Sequence, residues 1–189
     1  MSIPPRDVFA AAARKAIEDH NEWDSPHAFV TLHWDGENLT GRTYACIMPD
    51  IHPADYPAYM IKLAREDYEK DPDDAAYAYL LQIEAFGVAE PGPGASDAER
   101  AQHLADRLGR TFHQRDDAVE MATAWCADIH GRLWEATKRR TQPNVITEHF
   151  YPPNTPNQPG GQMIRGLLSV AYSTGMMAYG LPGPSWVAN

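Results

Sequence analysis

Hydrophobic positions along this chain follow two alternating periods. From Pro5 to His20, Val8, Ala11, Ala12 and Ala16 fall at helical spacing behind Pro4 and Pro5, which predicts a helix. The segment HAFVTLHWDGENLTGRTYACIMP then switches to a period of two. Phe29, Thr31 and His33 alternate with Val30, Leu32 and Trp34, the signature of a strand. Asp35-Gly36 and Gly41 bracket a turn, and Thr43 to Met48 reads as the returning strand, stopped by Pro49.

Helical spacing returns from Pro53 to Lys70. Tyr56, Tyr59, Met60 and Leu63 share one face, and Lys62, Arg65, Glu66 and Glu69 the other. Asp71-Pro72-Asp73-Asp74 ends that helix. Ala75 to Val88 places Tyr77, Tyr79, Leu81 and Ile83 in alternation and reads as a strand, with a helix as the alternative. Gly87 to Ser96 is a loop by composition. Ser96 and Glu99 form a capping box, so a helix is predicted from Asp97 to near Leu108. Val119 to Asp128 and Leu133 to Thr141 read as a second hairpin, turning at Ile129-His130-Gly131. Two hairpins plus one strand give an α+β domain with a mostly antiparallel sheet of about five strands and helices packed on one face.

The pattern changes beyond Arg140. Among the charged residues only Glu148 and Arg165 follow it, while seven prolines do: Pro143, Pro152, Pro153, Pro156, Pro159, Pro182 and Pro184. A free tail needs charge for hydration, and this one instead holds an apolar stretch. Left in water it would be a sticky patch, so it must lie against protein, either its own domain or another chain. Pro152 to Gly161 reads as an extended connector and Gln162 to Gly180 as a short apolar helix. The chain thus divides into a core, residues 1–151, and an arm, residues 152–189. Met163, Leu167, Leu168, Tyr172, Met176 and Trp186 are the arm's candidate contact residues for a partner or a second protomer, with Trp134 of the core beside them.

Charge narrows the partners. A net charge of −10 opposes phosphate backbones and anionic membranes, so no direct binding to duplex nucleic acid is expected. The acidity leaves open a mimic of nucleic acid, with Asp67, Glu69, Asp71, Asp73 and Asp74 lined up on one face. The uncharged stretch from Gly166 to Leu181 is shorter than the roughly 20 residues needed to span a bilayer. The first twenty residues lack the apolar run of a signal peptide, and Cys46 and Cys126 sit in strand-like runs without metal-ligand companions. A cytoplasmic protein with two buried thiols is the expectation, with a disulfide between them left open.

Catalytic motifs are sparse. The eight histidines show no HxH or HExxH spacing, so neither metal nor cofactor is expected. His33 and Asp35, at the end of the first strand, could share a proton and serve a hydrolase-like site, or be ordinary residues at a hairpin end. Asp50 and His52 read as a helix cap and an exposed neighbour. GPGASDAER places glycines before a helix start but lacks a phosphate-binding lysine. Trp134 between Arg132 and Lys138 could stack a base or hold an acidic partner, and Lys138-Arg139-Arg140 also fits a solvated edge strand.

Ala, Asp and Arg are plentiful and lysine is limited to Lys15, Lys62, Lys70 and Lys138. In this the chain resembles small acidic proteins of high-GC actinobacteria and their bacteriophages. The resemblance implies no activity. A phage origin would fit binding to a host or virion protein. The leading expectation is a non-enzymatic interaction or self-assembling protein. The alternatives are a hydrolase-like enzyme at His33 and Asp35, and an acidic mimic.

Overall fold

The computed structural model describes residues 3–47, 53–109, 111–153, 155 and 161–183. The elements run α1 (Arg6–Glu18), β1 (His27–Trp34), β2 (Leu39–Ile47), α2 (Tyr56–Lys70), β3 (Ala78–Gly87), α3 (Asp97–Gly109), β4 (Val119–Asp128), β5 (Leu133–Arg139), β6 (Gln142–Tyr151) and α4 (Gln162–Tyr179). The fold is α+β. Six strands form one antiparallel sheet in the order β2-β1-β3-β4-β5-β6.

β1 and β3 become strands because each buries both of its faces. In β1, Phe29 packs into one core with Met60 of α2 and Leu167 of α4, while Leu32 and Trp34 pack into another with Phe9 and Ile17 of α1. β3, central in the sheet, sends Tyr79, Leu81 and Ile83 to the first core and Ala78 and Leu80 to the second. Helices therefore cover both faces: α2 and α4 on one, α1 on the other. This corrects the expectation of helices on a single face. A sheet apolar on both sides needs two covers.

β6 is a sixth strand that the sequence did not announce. Pro143 argues against an inner strand, but β6 is the sheet edge, where proline is tolerated. Its presence moves β5 inside, so the edge-strand reading of Lys138-Arg139-Arg140 is corrected. Lys138 is buried and its Nζ donates to the His20 carbonyl at the end of α1. Trp134 is buried too, its ring 5.1 Å from that of Phe9 and 5.3 Å from that of Phe150.

α4 packs within its own chain. Ile164, Leu167, Leu168 and Val170 are buried against α2 and the sheet. Gly166 allows the approach, since a Cβ there would stand 2.7 Å from Pro57 Cβ. Thr174 Oγ1 meets Tyr79 OH at 2.6 Å, and Tyr179 OH donates to the Ala75 carbonyl at 2.6 Å. Among the described residues no helix is long and apolar enough to cross a membrane.

β2 and β4 are separated by β1 and β3. The side chain of Cys46 lies outside what the structure describes. Cys126 is buried and free, and burial pushes its thiol pKa up. Met48, Pro49, Asp50, His52, Asn154, Pro156, Pro159, Pro184 and Trp186 lie outside the described residues.

Candidate functional site

His33 is buried on the α2–α4 face of β1, and its partners come from elsewhere in the chain. Its Nδ1 lies 2.8 Å from the Asp74 carbonyl, which can only accept, so Nδ1 carries the proton. Its Nε2 meets Thr31 Oγ1 at 2.9 Å and stands 3.4 Å from Asp67 Oδ2. Arg42 closes the group by pairing with Asp74 and approaching Asp67 at 3.8 Å. Asp35 is not part of it. Its carboxylate accepts from the backbone N–H groups of Glu37 and Asn38, which close the β1–β2 turn and hold its pKa below the usual range. The pairing of His33 with Asp35 is therefore corrected: the carboxylate facing His33 is Asp67, from α2. Neither His33 nor Asp67 lines the groove or the pocket described below.

The proposed row of carboxylates is also dispersed. Asp67 is buried at His33, Asp74 pairs with Arg42, and Glu69 lies 3.5 Å from Arg65. These do not form one open acidic face.

A separate acidic group, Asp24, Glu84 and Glu120, brings carboxylate oxygens within 4.8 Å of one another. Such oxygens suit a hard cation. Arg140 already pairs with Glu120 at 2.8 Å and approaches Asp24 at 3.8 Å, while Glu84 accepts from the backbone N–H groups of Asp24 and Ser25. The cluster is an ion-pair network among protein groups.

Two surfaces stand out. The first is α3. Its capping box forms as the sequence predicts, with Glu99 accepting from Ser96 N at 2.7 Å and Ser96 Oγ accepting from Glu99 N at 3.3 Å. Yet of its 13 residues only His103 is buried. The helix is tethered by polar contacts: Arg115 to Asp106 at 3.0 Å, and Glu90 to His103 and Arg107 at 3.3 and 3.7 Å. Leu104 and Leu108, one turn apart, are left 54% and 75% exposed. Phe86 on the neighbouring strand end is 44% exposed.

The second is a pocket of about 460 Å³ where β1 starts, β3 ends and α4 begins. Ile83, Phe112, Trp125, Met163 and Ile164 form its apolar walls, and His27, Tyr56, Glu84, Arg107 and His113 its polar points. His27 Nδ1 and Tyr56 OH bond each other at 2.7 Å. Burial lowers the His27 pKa and raises that of Tyr56, so both are held neutral near pH 7. A more open groove of about 940 Å³ runs between α1 and the outer face of β1 and β2.

No family model, curated protein or solved structure matches this chain.

The structure scatters the sequence-derived contact residues. Leu167, Leu168 and Tyr172 are buried against α2 and the sheet, and Trp134 against α1 and β6, so none is displayed to a partner. Their apolar character is spent on the fold, because the sheet face opposite α1 needs α4 as well as α2. Met163 lines the pocket, Met176 is 41% exposed, and Trp186 lies outside the described residues. The pocket residues escaped the sequence reading because six elements bring them together. Leu104 and Leu108 did carry a signal, an i,i+4 apolar pair, but a pair at that spacing ordinarily faces a core.

Proposed function

We propose that the protein acts by associating with another protein chain, without catalysis, through α3. One observation carries this reading: an amphipathic helix turns two leucines to water while its polar residues tie it to the domain. Burying the exposed part of each leucine would contribute on the order of 1 kcal/mol. That supports a modest interface, well below an obligate one. The surface proposed moves from the C-terminal arm to α3, since the arm's leucines already lie in the core. The compositional likeness to phage proteins fits a docking role of this kind.

The partner to test first is a second copy. Two α3 helices packed antiparallel across a two-fold axis would set Leu104 of one against Leu108 of the other, a self-complementary contact. Sedimentation across a concentration series tests it. The expected result is a mass rising above 21.1 kDa for the native chain and staying at 21.1 kDa for Leu104→Glu/Leu108→Glu. A native chain that stays at 21.1 kDa at every concentration, or a double variant that associates as well as the native chain, rejects the reading.

A further inference from the structure

We propose that the pocket at the start of α4 is a binding site for a small aromatic anion. Its volume, about 460 Å³, falls in the range of about 300–1,000 Å³ typical of small-molecule sites. The walls are apolar and partly aromatic, with Phe112, Trp125, Ile83 and Met163 offering flat surface to a ring. A site of this kind needs few polar groups, and those present sort by what they have left to give. His27 and Tyr56 satisfy each other. Glu84 faces the site as an acid, but its oxygens already accept from Asp24 N and Ser25 N, and the His20 ring stands 3.1 Å away. The groups with capacity left are donors. Arg107 reaches the rim with only a 3.7 Å contact to the exposed Glu90. His113 also lines the pocket, its ring 6.1 Å from that of Phe86, with Nε2 accepting from the Gln114 amide at 3.3 Å and Nδ1 left to donate. Gly161 and Gln162, at the start of α4, line the same pocket.

The site is thus apolar in its body, with the Arg107 guanidinium and the His113 ring among its polar groups, which suits a ring carrying a carboxylate or sulfonate. The net charge of −10 does not oppose this at short range. Charges beyond a Debye length of about 8 Å are screened at physiological salt, so the nearest groups decide.

The test uses the full chain with 8-anilinonaphthalene-1-sulfonate as fluorescent probe, and 2-naphthoate and neutral 2-naphthylmethanol as competitors. The expected result is one saturable probe site, displaced by naphthoate more effectively than by the alcohol. Arg107→Gln should weaken naphthoate by about fivefold, the range of an exposed ion pair, and leave the alcohol unchanged. Ala85→Phe, which fills the pocket from β3, should weaken both by about tenfold or more. Met163→Trp fills it from α4 and serves the same end should the first variant fail to fold. Binding that survives the filling variants overturns the proposal, as does the absence of saturable binding. Equal affinity for acid and alcohol overturns the anionic assignment. Loss of the probe in Leu104→Glu/Leu108→Glu with the pocket intact would place it on α3 and overturn the site.

Discussion

Gly131 turns the β4–β5 hairpin with a φ of +76°, where a side chain is strained, and a Cβ there would overlap the Tyr172 hydroxyl. The turn is also held by buried Asp128, which accepts from the backbone N–H groups of His130 and Arg132. Gly131→Ala is expected to destabilise the fold by about 1–3 kcal/mol, read as a lower urea midpoint at unchanged slope. The same reasoning applies at His33. Asp67→Ala removes the carboxylate beside it and beside Arg42, in a place closed to water, and should cost about 3 kcal/mol. If His33 and Asp67 were instead a strained catalytic pair, that variant would unfold at a higher denaturant concentration than the native chain. The turn at Gly131 was legible in the sequence, since Ile-His-Gly between two alternating runs permits little else. The partner of His33 was not, because its carboxylate arrives on a different element.

Elements differ in how much each holds the molecule together. α4 is buried along most of its length, with Leu167 at 0% exposure. Leu167→Ala should therefore cost about 2–5 kcal/mol, and a chain ending near Tyr151 should be insoluble or unfolded by circular dichroism. α3 stands at the opposite extreme. Leu104→Glu/Leu108→Glu should alter stability by about 0.5 kcal/mol or less, seen as a nearly constant Tm, because those side chains contribute no core. The two helices already differ in the sequence, α3 carrying Asp97, Glu99, Arg100, Asp106 and Arg107 and α4 a single charge, Arg165. In the fold α4 lies on an apolar face of the sheet, while α3 buries only His103.

At the scale of the whole molecule, burial sets the response to acid. His20 and His27 both have pKa values lowered from the ordinary 6.5, chiefly by desolvation, and for His20 the nearby Lys138 adds to it while Glu84 opposes it. A histidine with a depressed folded pKa binds its proton more readily unfolded, so its contribution to stability is complete above pH 6.5 and is lost as pH falls below it. Denaturant titrations between pH 7.5 and 5 are therefore expected to show falling stability. His20→Gln should show a shallower fall, and an equal slope in both proteins would refute the assignment. The charge of −10 acts differently, through repulsion between separate molecules.

The order of the elements other than β6 was determined by the sequence alone, because the periods of 3.6 and 2, the Ser96–Glu99 box and the Asp35-Gly36 turn are local and each residue needs only near neighbours to take its conformation. The sequence also required that the final apolar segment be covered, since water solvates it poorly. What covers it was decided only by tertiary structure, as were the sixth strand, the second helical layer, the Asp67 partner of His33 and the convergence of His27, Tyr56 and Trp125 on one pocket. These depend on which faces of distant elements meet, and hydrophobic burial, which is non-directional, fixes that through the fit of the whole chain rather than through any one stretch of it.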